Sequence, residues 1–118
     1  MDRHRILVVE DDHDICDILK YILEERGYEV SLLQYGQQVF NAIQTFRPEL
    51  ILMDIMLPDA DGSEICRQVK LDHQQLPVIL LSAGYFLQTA AVPGGADDFI
   101  VKPFDINEVL LKVRSLLH

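Results

Sequence analysis

Leu50-Ile51-Leu52-Met53-Asp54-Ile55-Met56-Leu57 leaves the chain few ways to fold. Four apolar residues run into one aspartate, three more follow, and Pro58-Asp59-Ala60-Asp61-Gly62 then supplies a turn. A short apolar run without polar alternation reads as a strand buried on both faces, as in a parallel sheet. A carboxylate ending such a strand lies at its C-terminal edge, where open α/β sheets place their sites. Burying that charge alone is costly, so Asp54 requires a cation, hydrogen-bond donors or water.

Similar runs recur along the chain. Ile6-Leu7-Val8-Val9 ends in Glu10-Asp11-Asp12, Val30 to Leu33 is weaker, Val78-Ile79-Leu80-Leu81 ends in Ser82, and Phe99-Ile100-Val101 ends in Lys102-Pro103. Helical periodicity separates them. Ile15, Ile18, Leu19, Ile22 and Leu23 mark one face before a Gly27 cap. Val39, Ile43 and Phe46 mark a second helix that stops before Pro48. Asp61-Gly62-Ser63-Glu64 and Asp105-Ile106-Asn107-Glu108 resemble capping boxes. The first opens a helix through Ile65 and Val69, and the second a last helix with Ile106, Val109, Leu110, Val113, Leu116 and Leu117 inward. Alternating strands and helices predict a doubly wound α/β domain, a five-stranded parallel sheet with helices on both faces. Pro93-Gly94-Gly95 predicts a short or irregular fourth helix between Ala83 and Gly95.

A length of 118 residues suits one domain. The formal charge of −9 and ten scattered basic residues argue against direct nucleic-acid binding. No stretch approaches the ~20 apolar residues of a membrane span, and the apolar run behind Arg5 is too short for a signal peptide. Cys16 and Cys66 lack any ligand spacing and read as free thiols in a reducing cytoplasm.

In a parallel sheet the strand ends share one edge, so Glu10, Asp11, Asp54, Ser82 and Lys102 should converge. Two carboxylates ~4 Å apart repel by about 4 kcal/mol at an effective dielectric of 20. One lysine only partly offsets three acids. Hard oxygen ligands with open coordination positions suit Mg²⁺, which keeps waters and accepts phosphate oxygens.

These pieces resemble the response-regulator receiver domain of two-component signalling, the CheY-like family. The resemblance rests on Ile6 to Asp12, Met53 to Pro58 with Asp61-Gly62, Leu81-Ser82-Ala83, and Gly95 to Phe104, in order and at family-like spacing. It implies a flavodoxin-like (βα)5 fold with strand order 2-1-3-4-5. It implies Asp54 as phosphoacceptor from a sensor histidine kinase or histidine phosphotransfer protein. Mg²⁺ (or Mn²⁺) would bind Asp11, Asp54 and the Met56 backbone carbonyl, with Glu10 acting through a metal-bound water. Lys102, joined to Pro103 by a cis bond, would pair with the phosphoryl oxygens. Ser82 would donate its hydroxyl to them, and Phe99 would fill the space Ser82 vacates.

The resulting expectation is a cytoplasmic receiver domain over residues 1–118, with no effector domain and a downstream partner the sequence does not name. It assists its own phosphorylation and slow dephosphorylation but turns over no substrate. The segment from Ser82 to Lys102 is about two residues shorter than the family pattern, and Phe99 replaces the commoner tyrosine. Asp12 reads as an N-cap, Asp59 and Asp61 as solvated or capping acids, Asp97 and Asp98 as structural, and His13 as a surface histidine.

One competing reading is an unphosphorylated interaction module on this scaffold, although the acids and the lysine are all retained. Another is a Mg²⁺-dependent hydrolase forming an aspartyl-phosphate, which would want a general acid where Met56 stands. A flavodoxin-like nucleotide binder would need a Ser/Thr/Gly-rich phosphate loop where the chain has Glu10-Asp11-Asp12.

Overall fold

Each apolar run forms a strand and each periodic segment a helix. The computed structural model describes residues 3–83 and 93–117. In order these are β1 (Arg5–Val9), α1 (His13–Glu25), β2 (Glu29–Leu33), a 3₁₀ turn (Gly36–Gln38), α2 (Val39–Thr45), β3 (Leu50–Asp54), α3 (Gly62–Asp72), β4 (Val78–Ala83), a second 3₁₀ turn (Pro93–Gly95), β5 (Asp98–Lys102) and α4 (Ile106–Leu116). Of the short or irregular fourth helix anticipated between Ala83 and Gly95, residues 84–92 lie outside the described residues, and Pro93–Gly95 is the second 3₁₀ turn.

All strand pairs are parallel and the order is β2-β1-β3-β4-β5. β3 is central, and each of its five residues is buried. Its neighbours β1 and β4 are almost as enclosed, whereas β2 and β5 are edges. The fifth strand was anticipated as wholly buried. Only Ile100 is, because Phe99 is half-buried and Val101 is 38% exposed at the open edge.

Alternation along the strands sends side chains to two cores. Leu7, Val9, Ile51, Met53 and Leu80 meet α2 and α3 through Val39, Ile43, Ile65 and Val69. Ile6, Val8, Leu52, Leu81 and Ile100 meet α1 and α4 through Leu19, Leu23, Val109 and Val113. Two predicted inward residues face solvent instead, Ile18 at 44% and Ile106 at 46% exposure. Both sit at the margin of an apolar stripe wider than the sheet face it covers.

The caps follow sequence. The Asp12 carboxylate accepts the Asp14 and Ile15 N–H groups, Asp61 accepts that of Ser63, and Asp105 that of Asn107. Neither predicted capping box closes, since Glu64 pairs with Arg67 and Glu108 with Lys112. Gly27 follows α1 with a φ of 88°, the left-handed geometry that ends helices.

Candidate functional site

β1, β3 and β5 each deliver one charged residue to the same sheet edge. Glu10 follows the last residue of β1, Asp54 ends β3 and Lys102 ends β5. Glu10 is 1% and Asp54 6% exposed, a depth at which carboxylates require partners.

Those partners are present. The Lys102 Nζ donates to Glu10 Oε1 at 2.5 Å and to Asp54 Oδ2 at 2.5 Å. The second Glu10 oxygen accepts the Asp12 N–H at 3.1 Å, and Asp54 Oδ1 accepts the Met56 N–H at 2.9 Å. Behind Glu10, the Cys16 thiol donates to the Glu10 carbonyl at 3.1 Å. No buried side-chain nitrogen or oxygen among the described residues lacks a partner.

The reach of Lys102 explains its residue type. β5 lies two strands from β3, roughly 10 Å at normal strand spacing. A long side chain must therefore cross β4, and β4 ends in the small residues Ser82 and Ala83, with Ala83 in register with Lys102. The bond from Lys102 to Pro103 is cis, as the resemblance implied.

Charge remains unbalanced. Single oxygens of Glu10, Asp11 and Asp54 all lie within 4.8 Å of one another, and Asp11 is exposed. Burial pushes the Glu10 carboxyl above its ordinary range, and the Lys102 hydrogen bond offsets this only in part. Burial alone would depress the Lys102 ammonium, but hydrogen bonds to Asp54 and Glu10 outweigh it and hold the group above its usual value. Three hard oxygen donors close to one another, two of them paired with one ammonium, have the chemistry of a divalent-cation site with coordination positions left open. The donor set fits Mg²⁺ or Mn²⁺.

Ser82 is also at this edge, one position beyond the Leu81 that pairs with Asp54, and is 1% exposed. Its hydroxyl donates to the Ala83 carbonyl at 3.3 Å rather than to the acids. Phe99 lies further back on β5, paired with Leu80, and so on the same sheet face as Ser82. Its ring carries the Lys112 ammonium 5.3 Å from the centroid, and that ammonium also donates to the Phe99 carbonyl at 2.7 Å. Met56 is 63% exposed beside Asp54. His13 stays on the surface, 3.2 Å from the Gln34 amide.

Three contributors have roles that the sequence reading left undefined, although it placed Gly62 in the family motif and read Asp59 as a solvated or capping acid. Gly62 seats the start of α3 on the Asp54 backbone, Asp59 ties the loop after β3 to the 3₁₀ turn, and Lys112 covers Phe99. A Pro/Asp/Gly turn was the only signal for the first two, and nothing local marked the third.

Residues 6–114 match the family model described as the response regulator receiver domain. The chain is 38% identical over 116 residues to response regulator MprA of Mycolicibacterium vanbaalenii, covering 97% of this chain and 50% of that protein. It thus spans about half the length of the curated relatives it matches. Among solved structures, the receiver domain of NtrX from Brucella abortus is 34% identical, with a TM-score of 0.87 over 95% of this chain and 97% of that one. Response regulator protein TrrA from Thermotoga maritima, solved in complex with Mg(2+)-BeF, is 31% identical, with a TM-score of 0.88 over 97% and 99% of the two chains. With the parallel 2-1-3-4-5 sheet and its acid–lysine edge, these matches place the chain in the response-regulator receiver domain family of two-component systems.

Proposed function

We propose that Asp54 accepts a phosphoryl group from a phosphohistidine on a partner kinase or phosphotransfer protein, and that this event switches the domain. The observation that carries the reading is the Lys102 ammonium held 2.5 Å from both Glu10 and Asp54. A buried nucleophile, an acid and a cation at one sheet edge suit phosphoryl transfer, which depends mainly on positioning and charge neutralisation.

In the proposed step a carboxylate oxygen of Asp54 forms a bond to phosphorus as the phosphorus–nitrogen bond of the donor breaks. The electron pair stays with the departing imidazole nitrogen. Asp11, Asp54 and the Met56 carbonyl would hold Mg²⁺ or Mn²⁺, with Glu10 acting through water. The bound cation supplies neutralisation of the phosphoryl oxygens against the surrounding acids. TrrA, crystallised with Mg(2+)-BeF, is the relative that supports this assignment.

Lys102 would transfer one hydrogen bond from Asp54 to a phosphoryl oxygen. Ser82 would turn its hydroxyl from the Ala83 carbonyl toward the phosphoryl group, and Phe99 would follow into the space released. New contacts that exist only with the phosphate present bias the population toward the active arrangement. The output effector and the cognate kinase are proteins outside this chain or segments of a longer one.

Intact mass after incubation with Mg²⁺ and a small acyl phosphate tests the assignment, with wild type beside Asp54→Asn. One phosphoryl group should appear on wild type and be absent from the variant and from chelator-treated samples. Equal labelling of the variant would remove Asp54 from its role.

A further inference from the structure

At the pole opposite the acidic edge, where β3 and β4 begin, the chain holds an open hollow of about 490 Å³. Ligand sites of small molecules fall in this size range. Arg47, His73, Gln44 and Gln75 line it together with apolar Ile43 and Leu76. No aspartate or glutamate lines it, although the chain contains 19 acids. Four other hollows among the described residues each include at least one acid.

The backbone of Arg47 makes the residue choice informative. α2 ends at Thr45, Phe46 is its cap, and Arg47 follows with a φ of 54°. It is the only non-glycine residue with positive φ among the described residues. Glycine occupies such a position without strain and is the usual residue just past a helix end. The local structure uses only the backbone of Arg47, since the Arg5 Nε donates to the carbonyls of Phe46 and Arg47 at 3.0 and 2.8 Å. The guanidinium itself enters no ion pair among the described residues, as is also true of Arg3, Lys20, Arg26 and Arg114, but of these five only Arg47 lines this hollow. An exposed arginine with a positive φ and no ion pair among the described residues, set in an acid-free hollow, is placed to bind an anion.

We infer that this hollow is a binding site for a small organic oxyanion, a carboxylate or phosphate carried on an apolar body. The Arg47 guanidinium matches the planar or tetrahedral oxygens of such a group, with His73 and the two carboxamides supplying further donors. Ile43 and Leu76 give the apolar wall. The site is independent of the phosphoacceptor reading. Roughly 17 Å of strand separates the two poles, about twice the ~8 Å Debye length at physiological salt.

The test is an amide NMR titration in buffer stripped of divalent metal, using phenyl phosphate, benzoate and the neutral benzyl alcohol as probes. Saturable shifts are expected at residues 43–47 and 73–76, with Glu10, Asp11 and Asp54 unmoved. Comparing the two anions tells phosphate from carboxylate preference. Arg47→Gly, which relieves the backbone, should keep the wild-type spectrum elsewhere and weaken anion binding at least tenfold. Absence of saturable shifts with either anion would overturn the inference. So would an Arg47→Gly protein that binds as wild type does, or benzyl alcohol binding as well as the anions.

Discussion

Gly62 rests directly on the backbone of Asp54. A methyl group at Gly62 would collide with the Asp54 carbonyl oxygen and stand 2.9 Å from the Ile55 Cα. The Gly62 N–H meanwhile donates to the Ile55 carbonyl at 2.7 Å. The first turn of α3 is therefore packed against the residue that carries the proposed chemistry, with no space for a side chain between them.

Gly62→Ala should displace either α3 or the end of β3. Overpacking of this kind costs about 1–3 kcal/mol. Urea unfolding should show the loss, and phosphorylation of Asp54 should slow relative to a surface control such as Leu71→Ala. A variant with wild-type stability and rate would show that the contact yields freely.

Lys102→Ala leaves the buried Glu10 and Asp54 carboxylates facing each other. Without divalent metal the destabilisation should be about 1–3 kcal/mol, the cost of stranding buried polar groups. Mg²⁺ should recover much of it by replacing the lost cation. Parallel unfolding curves with and without Mg²⁺ measure this, and equal losses in both would argue against a shared metal site. Any phosphorylation that persists should no longer produce the conformational change.

Acid should loosen two loop ties. Burial tends to raise the Glu49 carboxyl, but hydrogen bonds from His4 and the Arg5 N–H outweigh it and hold the group below its ordinary value. The Gln37 and Gly36 N–H groups do the same for Asp59. A carboxyl depressed in the folded state contributes stability that is present above its unfolded value, ~4.5 for Glu49 and ~3.8 for Asp59, and lost as pH falls through the folded one. Thermal unfolding of wild type should therefore drop in Tm as pH falls below these values. Glu49→Gln and Asp59→Asn should start lower at neutral pH and show shallower acid losses. Parallel pH profiles for wild type and variants would contradict this.

Lys112 binds Phe99 twice, over the ring and at the carbonyl, and also pairs with Asp98 at 3.4 Å and Glu108 at 3.2 Å. Replacing it by methionine keeps much of the apolar stem and removes the charge. A loss of about 0.5–1 kcal/mol is expected from the cation–π contact, with little more from the partly exposed ion pairs. If Phe99 moves on phosphorylation, its ring resonances should shift more readily in Lys112→Met. Identical ring shifts in both proteins would separate Lys112 from the switch.

The strands were legible because burial on both faces demands unbroken apolar runs, a local property. Leu50 to Asp54 needed no tertiary information, and neither did the caps Asp12, Asp61 and Asp105, whose partners lie two or three residues away. Parallel pairing then forced the strand ends to one edge. The sequence alone therefore groups Glu10, Asp54, Ser82 and Lys102.

Tertiary structure decided which of those groups touch. The Lys102–Glu10 contact joins residues 92 apart and the Lys102–Asp54 contact residues 48 apart, while the hydroxyl of Ser82 stays with its own neighbour. It also decided that Ile18 and Ile106 face water, that Asp59 caps a turn 22 residues earlier, and that Lys112 covers Phe99. Periodicity reports which side of a helix is apolar, but only the neighbouring element determines how much of that side is covered. Side-chain reach across strands, close backbone approach at Gly62 and the left-handed turn at Arg47 depend on where distant segments come to rest. The sequence by itself determined the sheet and its chemically charged edge, and packing chose the partners within it.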